Sequence, residues 1–138
     1  MACSEGLVFQ VPGEPVGKGR PRFTRQGRAY TPAKTAKYEN LVSLAFQQMY
    51  PNHVPFENAV EMKMIAYFSI PKSWSKKKHQ QAVLNQIFPT KKPDTDNIAK
   101  VKDALNGIAF KDDSQVVKET IIKRYAEVPK LIIYIKEV

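Results

Sequence analysis

The sequence predicts a single α+β domain over residues 1–138. We expect a small mixed β-sheet of about four strands with packed helices, in the order β-α-β-α-α-β-β. The length of 138 residues suits one domain. Hydrophobic residues make up 43% of the chain and charged residues 25%, as in an ordinary folded protein. Apolar residues alternate in some segments and recur every three or four positions in others, so both strands and helices are predicted.

The first half of the chain predicts two strands with a helix between them. Residues 7–12 and 59–70 alternate apolar and other side chains, as strands do. The second strand places one apolar set on a single face: Val60, Met62, Met64, Ala66, Phe68 and Ile70. A helix is predicted from an N-cap at Thr31, with Pro32 in its first turn, to about Tyr50 before Pro51. Its buried stripe is predicted to be Tyr38, Leu41, Val42, Ala45, Phe46 and Met49.

The second half predicts two helices and then two strands. Ser73 is predicted to cap a short helix over residues 73–87, with Trp74 in the core. A further helix is predicted over residues 95–106, with Gly107 as its stop signal. Its apolar stripe is Ile98, Val101, Leu105 and Ile108. Residues 115–125 and 131–138 are predicted to pair as an antiparallel hairpin.

The charge balance predicts an anionic partner. The formal net charge is +9 and the pI is near 9.7, which makes nucleic acid the leading candidate. A membrane surface is disfavoured because no strongly amphipathic basic helix is evident, and no apolar run approaches the roughly 18 residues of a membrane span. Cys3 is the only cysteine, and the N-terminus lacks the pattern of a signal peptide. A cytoplasmic location is therefore expected.

The positive charge is concentrated in two stretches. Residues 15–38 and residues 62–93 each hold seven Lys or Arg and no acid. The first stretch is rich in Gly and Pro, so an irregular loop is predicted, and Phe23 and Tyr30 interleave with its cations. Such interleaving favours contact with phosphates and unpaired bases, whereas a solvated flexible loop is the alternative. The predicted DNA contacts are Lys18, Arg20, Arg22, Arg25, Arg28, Lys76, Lys77, Lys78, Lys91 and Lys92.

The acids are distributed differently from the cations. All five Asp residues of the chain lie between positions 94 and 113. Asp94 and Asp96 are predicted to point to the same side of an extended segment that leads into the helix. We expect the helix and the following strand to bring Asp113 beside them. Oxygen-only ligands favour Mg²⁺, with Mn²⁺ as a substitute. Lys100 lies one helical turn from Asp96, where it could orient a water or neutralise a phosphate.

Ordinary structural roles compete with this interpretation. An Asp before a helix is commonly an N-cap, and Asp–Lys at i,i+4 is a common surface pair. The structural role is preferred for Asp103, whereas the metal role is preferred for Asp94, Asp96 and Asp113 together. His53 is predicted to be exposed, and two His with one distant Cys exclude a zinc finger.

A pattern spans the acidic segment and the strand after it. It consists of Asp94-x-Asp96-Asn97, Lys100, Asp103, Leu105, Asp112-Asp113-x-Gln115-Val116 and Lys123. This order resembles the signature of the RusA family, which comprises small, homodimeric, Mg²⁺-dependent crossover-junction endodeoxyribonucleases of bacteria and prophages. The resemblance implies that Asp94, Asp96 and Asp113 are catalytic metal ligands and that Lys100 is a catalytic base-like or phosphate-contacting residue. It also implies that Lys123 is an auxiliary basic contact. Spacing leaves the choice between Asp112 and Asp113 open, and the family pattern favours the second.

The predicted function is therefore resolution of four-way DNA junctions by paired nicks during recombination and repair. Two alternatives stay open at this point. One is a non-catalytic DNA- or RNA-binding protein, such as a phage regulator, whose Asp residues are caps and ion pairs. The other is a nuclease with the same site that acts on other branched DNA.

Overall fold

The computed structural model describes residues 6–30 and 32–138. Its main sheet has four strands in the spatial order β1-β6-β4-β5. The strands are β1 (Leu7–Pro12), β2 (Arg22–Phe23), β3 (Ala29–Tyr30), β4 (Val60–Ser69), β5 (Val116–Ala126) and β6 (Lys130–Glu137). The α-helices are α1 (Ala33–Met49), α2 (Lys76–Val83) and α3 (Thr95–Ala99), and two short 3₁₀ helices cover Lys100–Leu105 and Asp113–Gln115.

The mixed character of the sheet is confirmed. β4 pairs in parallel with β5 and antiparallel with β6, and β6 pairs antiparallel with β1. A parallel pair requires a long crossover, which α2, α3 and the 3₁₀ helix supply. The crossover brings the acidic segment against β5. The predicted element order is confirmed too, with the small β2–β3 hairpin as an addition.

The predicted hairpin between the last two strands is wrong. β6 does not pair with β5, because β4 lies between them. The burial pattern fits this arrangement. Leu131, Ile133 and Ile135 of β6 are at most 1% exposed, as expected for a strand that has a neighbouring strand at each of its two edges. β5 begins with a run of exposed or half-exposed side chains, and Val117 is 64% exposed. Such a strand is suited to the edge of a sheet.

Helix α1 covers the sheet through a narrower stripe than predicted. Thr35, Tyr38, Val42 and Phe46 are buried, and Leu41 and Ala45 are partly buried against them. Met49 is 58% exposed, so its prediction as a core residue is wrong. The Tyr50 ring occupies the place beside Phe46 at a centroid distance of 5.5 Å, and its hydroxyl bonds to the backbone of β1. The predicted N-cap, Thr31, lies outside the described residues.

Two other predicted helices have different bounds. The cap of α2 is Ser75 and not Ser73, since the Ser75 hydroxyl accepts a hydrogen bond from the Lys78 backbone at 3.2 Å. The helix predicted over residues 95–106 is divided into α3 and the 3₁₀ helix Lys100–Leu105. Its apolar stripe is confirmed, because Ile98, Val101 and Leu105 are at most 1% exposed. Gly107 follows with a φ of +77°, a conformation that favours glycine.

Three local predictions need correction. The Gly- and Pro-rich loop contains the short β2–β3 hairpin, which its own backbone hydrogen bonds stabilise. His53 is half-buried: its ring lies between Phe46 and Phe56, and Nε2 contacts the Ala109 carbonyl at 2.9 Å. Trp74 is half-buried against Tyr125 and lies outside the main core. Within residues 6–30 and 32–138, no helix is long and apolar enough to cross a membrane.

Leu105 tests whether the apolar stripe holds the acidic segment on the core. Leu105→Ala should lower the free energy of unfolding by about 2–5 kcal/mol, because the side chain is completely buried. Leu84→Ala is a matched control, since Leu84 is 57% exposed, and it should change the value by less than about 0.5 kcal/mol. Urea denaturation of both variants measures the difference. Equal losses would contradict the packing described here.

Candidate metal and nucleic-acid site

Asp94 and Asp96 lie at the start of α3 with their carboxylates exposed. Asp94 occupies the N-cap position with extended backbone, yet its side chain makes no capping hydrogen bond. Asp96 lies in the first turn of α3, so the prediction that it shares one side of an extended stretch with Asp94 is wrong. Its Oδ2 is 3.5 Å from Nζ of Lys100. The ordinary cap therefore does not account for Asp94. The predicted pairing of Asp96 with Lys100 is present, with both side chains more than half exposed.

The two adjacent acids before β5 differ in what they do. Asp112 forms a capping box: its carboxylate accepts from the Ser114 backbone at 2.9 Å, and its backbone N–H donates to Gln115 at 2.8 Å. The Ser114 hydrogen bonds lower the pKa of Asp112. Asp113 takes no part in the cap, and its Oδ1 is 3.5 Å from the Asn106 amide. The structural role thus falls to Asp112, which leaves the Asp113 carboxylate available.

Gln115 fastens the end of this acidic segment to the core. Its amide nitrogen donates to the carbonyls of Phe56 and Asn58, at 2.8 and 2.9 Å. The Lys111 backbone N–H also donates to the Phe56 carbonyl. The position of Gln115 in the sequence pattern therefore has a structural explanation, and the residue fixes the approach to β5.

The described chain does not gather the three candidate ligands into one group. No set of three or more Asp, Glu, His or Cys side chains among residues 6–30 and 32–138 could together hold a metal ion. The hydrogen bonds between the two segments show why. Lys123 donates to the Lys91 carbonyl, Lys102 donates to Glu119, and Asn106 donates to Asp113. The acidic segment thus runs antiparallel along β5. Asp113 lies at the far end of this run from Asp94, contrary to the expectation that one chain sets them side by side.

The donor chemistry of Asp94 and Asp96 still suits a hard divalent cation. Both carboxylates are exposed, and neither is used in a cap. Mg²⁺ is commonly bound through one or two carboxylates, with water and substrate phosphates completing its ligands. The pair at the start of α3 fits that mode, and a third carboxylate from the same chain is not needed for it.

Lys18 joins the basic loop to the acidic segment. Its Nζ lies 2.9 Å from Oδ2 of Asp103 and 3.2 Å from Oε2 of Glu39, and its backbone N–H donates to the Asn97 carbonyl at 2.9 Å. Burial alone would lower the pKa of Lys18, but the hydrogen bonds and charges of Asp103 and Glu39 outweigh it and raise the pKa. Its ammonium group therefore has two carboxylate partners, where the sequence predicted a DNA phosphate. Asp103 has the structural role predicted for it.

Two glycines flanking Lys18 permit this close approach. A Cβ at Gly17 would stand 2.6 Å from Cβ of Pro93 and 3.0 Å from Cβ of Asn97. The Gly19 backbone N–H donates to Oγ1 of the buried Thr35 at 3.0 Å. The loop is thus pressed against α3 on one side and α1 on the other. The Gly-Lys-Gly spacing was the sequence signal for this contact, which we did not predict.

The docked loop forms one wall of a basic groove. The groove has a volume of about 560 Å³ and reaches Pro93 and Asn97 beside the acidic pair. Arg20, Arg22, Lys34 and Lys92 line it, and no carboxylate in the described part of the chain pairs with any of them. Lys34 is a lining cation that sequence reasoning missed. The sequence feature that could have identified Lys34 is its position in the acid-free stretch of residues 15–38, at the second residue of α1.

The other predicted contacts are spread over the surface. Arg25 and Arg28 lie exposed in and after the turn of the β2–β3 hairpin. Lys76, Lys77 and Lys78 occupy the first turn of α2, and Nζ of Lys78 stands 4.1 Å from the centre of the Trp74 ring. Lys91 is exposed, whereas Nζ of Lys123 donates to the Lys91 carbonyl at 2.5 Å. Lys123 thereby anchors the irregular segment that leads into the acidic segment.

A mixed sheet with a basic groove that reaches Pro93 and Asn97, next in sequence to the exposed acids Asp94 and Asp96, is typical of a protein that acts on nucleic-acid phosphates. Comparison with known proteins gives the family. The model of the endodeoxyribonuclease RusA family matches residues 12–136, and the chain belongs to that family. Membership implies endonuclease activity on branched DNA. The chain is also 43% identical over 138 residues to the uncharacterized protein YqaN of Bacillus subtilis (strain 168), with 96% of each chain covered.

The Lys18 contacts predict a stability effect. Lys18→Met should lower the free energy of unfolding by about 1.5–3 kcal/mol, because it leaves two half-buried carboxylates without their shared cation. The raised pKa of Lys18 means that the native protein retains this stabilisation below the ordinary Lys value and loses it as the pH rises through the higher native value. Lys34→Met, which removes an exposed cation of the same groove, should change the stability by less than about 0.5 kcal/mol. Thermal denaturation distinguishes the two variants, and similar losses would refute the assigned role of Lys18.

Proposed function

We propose that this chain is a Mg²⁺-dependent endonuclease that resolves four-way DNA junctions by paired symmetric nicks during recombination and repair. The observation that carries the proposal is the uncapped, exposed carboxylate of Asp94, with Asp96 two residues later in the chain. Both acids are next in sequence to Pro93 and Asn97, which line a basic groove whose lining contains no acid. A protein that only bound DNA would gain nothing from two exposed carboxylates beside its phosphate path, since they repel the ligand. Family membership supports the same chemistry.

The metal would be held by Asp94 and Asp96, with Mn²⁺ able to replace Mg²⁺. When bound, it supplies an activated water and stabilises the charge that develops on the attacked phosphate. Nζ of Lys100 lies 3.5 Å from the Asp96 carboxylate and would offer a cation for a phosphate oxygen. Asp113 is the proposed third ligand. Because one chain does not group it with the other two, its part requires movement on DNA binding or the Asp113 of a second copy.

The DNA backbone would follow the basic groove toward the acidic pair. Arg20, Arg22 and Lys92 line that path, and Lys91 lies exposed next to it. Arg25 and Arg28 extend the positive surface along the hairpin, and Lys76, Lys77 and Lys78 form a second basic surface on α2. Lys18 and Lys123 would act indirectly in this scheme, since both are bound to other parts of the protein.

A homodimer is part of the proposal. A four-way junction has two-fold symmetry, and two matched nicks require two active sites in a matching arrangement. A C₂ dimer supplies such a pair. Each copy would then cut one strand, which gives the symmetric products expected of junction resolution.

A non-catalytic DNA-binding protein is the second candidate. The observation that favours it is that no three-acid group forms within the described residues. Metal dependence separates the two candidates. A nuclease loses cleavage in a chelator, whereas a binding protein holds junction DNA equally well with or without Mg²⁺ and never cuts it.

Asp96→Asn tests the catalytic assignment. We expect junction cleavage to fall by roughly a hundredfold or more, because the variant loses a metal-ligating charge. Junction binding should be retained or become tighter, since a negative charge beside the phosphate path is removed. Asp112→Asn is the matched control, because Asn caps a helix about as well as Asp and should preserve cleavage. Cleavage and binding assays on the same labelled junction measure both effects. Parallel loss of binding and cleavage in Asp96→Asn, or equal inactivity of Asp112→Asn, would refute the assignment.

The groove predicts a salt-dependence effect. Replacing Arg20, Arg22 and Arg25 together with Gln should weaken binding and reduce the slope of log K against log salt by about 0.9 for each phosphate that is no longer neutralised. Titration of the junction at several salt concentrations measures this slope. An unchanged slope would remove the basic loop from the DNA-binding surface.

A further inference from the structure

We propose that Phe23 recognises the branch point of the DNA substrate. Its ring would stack on the exposed face of a terminal base pair where the DNA arms separate. This inference rests on the proposed function, because it names the DNA feature that the same groove would select. Groove cations contact phosphates, which are present in every DNA form. Such contacts do not detect the base faces that a branch point exposes.

The β2–β3 hairpin has a defined shape without help from the core. Arg22 pairs with Tyr30 and Phe23 pairs with Ala29. In its turn, the Thr24 backbone N–H donates to the Arg28 carbonyl at 2.9 Å, and the Thr24 hydroxyl accepts from the Arg28 backbone at 3.1 Å. Gly27 has a φ of +80°, which the turn requires and glycine allows. The hairpin therefore presents its side chains from a defined backbone.

Phe23 is presented by this hairpin without cover. Its side chain is 69% exposed, and its cross-strand partner, Ala29, is too small to shield a ring. Phe23 lies outside both the core cluster and the residues packed against it. The Phe23 ring therefore contributes nothing to the described core, whereas the rings of Phe9, Phe46 and Phe110 are buried in it.

The charge around Phe23 identifies the kind of partner. Arg22, Arg25 and Arg28 lie close to it in the sequence of the hairpin, and residues 15–38 contain no acid. An acid-free basic surface with a bare aromatic ring suits a polyanion with flat apolar faces, which describes nucleic acid. Arg22 also lines the groove that leads to Pro93 and Asn97. Phe23 follows Arg22 in the same strand, and successive side chains of a strand point to opposite faces. Backbone in the groove and a base stacked on Phe23 would therefore lie on opposite faces of the hairpin, as two diverging parts of a branched DNA can.

Branched DNA differs from linear duplex in the property that Phe23 would read. Inside a duplex, every base face is stacked on its neighbour and is inaccessible. At a branch point, terminal base pairs expose their faces or can do so with little distortion. Stacking on an aromatic ring tolerates any base, so the contact would select structure and not sequence. Phe23 would in this way add a preference for junctions to the non-specific attraction of the arginines.

The test compares binding of two DNA forms by variants of the full-length protein in a buffer with EDTA, where no cleavage occurs. The DNA forms are a four-way junction, with 2-aminopurine at a branch-point pair, and a linear duplex of one of its arms. We expect Phe23→Ala to weaken junction binding by roughly 5- to 100-fold and to leave duplex binding within about twofold. Binding of the wild type should change the fluorescence of 2-aminopurine, and this change should be absent with Phe23→Ala. Phe23→Trp should retain both the junction affinity and the fluorescence change.

Two further variants serve as references. Arg25→Ala should weaken junction and duplex binding by the same factor, because it removes a phosphate contact. Val128→Ala removes another exposed apolar side chain, 67% exposed on the link between β5 and β6, and should change neither affinity. The exposure of Phe23 makes a folding defect unexpected, and an unchanged thermal midpoint of Phe23→Ala verifies this.

The outcomes separate this inference from the proposed function. If Phe23→Ala binds the junction as tightly as the wild type does, or loses affinity equally for the junction and the duplex, the inference is overturned and the proposed function is not. A change of oligomeric state in Phe23→Ala without a change in the junction-to-duplex ratio also overturns it, because the ring is then a contact between copies. Wild-type protein that shows no preference for junctions and no Mg²⁺-dependent cleavage overturns the proposed function together with the inference.

Discussion

The pairing of Lys18 with Asp103 and Glu39 is the contact on which the arrangement of the site depends. Without it, a basic loop rich in Gly and Pro would have no ion pair to hold it against Asp103, which lies 85 residues away from Lys18 in sequence. A half-buried cation shared by two carboxylates, supported by the Lys18–Asn97 backbone bond, fixes one to the other. Other cations of the loop, Arg20 and Arg22, then line a groove that reaches Pro93 and Asn97, next in sequence to Asp94 and Asp96.

The sheet supplies the second constraint. Because β4 lies between β5 and β6, β5 is left at the edge with one face available to the crossover segment. Lys123 and Glu119 of β5 hold Lys91 and Lys102 of that segment in antiparallel order. The same geometry that exposes Asp94 and Asp96 also carries Asp113 away from them. One fold thus explains both an accessible carboxylate pair and a third acid that is distant within the chain.

The limits of sequence reasoning follow from the range of the interactions. The strands β1 and β4, the helix α1 and the stripe of Ile98, Val101 and Leu105 were predictable, because their apolar spacing is local. The insertion of β6 beside β4 was not, since it depends on competition between strands for burial. The partner of Lys18 was also missed, because a charged residue in a basic stretch gives no sign of a distant Asp. Asp94 and Asp96 were identifiable as residue types, and the family pattern favoured Asp113 over Asp112. Spacing alone did not distinguish Asp112 from Asp113, because the capping box formed by Asp112 is visible only in three-dimensional contacts.

The central claim is that this groove and carboxylate pair cut branched DNA in a metal-dependent reaction. The most direct measurement maps, at nucleotide resolution, the products formed from a synthetic four-way junction and from a linear duplex of the same sequence in Mg²⁺. The account predicts paired nicks at symmetric positions in the junction, ends with a 5′-phosphate and a 3′-hydroxyl, and an intact duplex. Tight junction binding with no nick in Mg²⁺ or Mn²⁺, or equal cutting of the duplex, would contradict it.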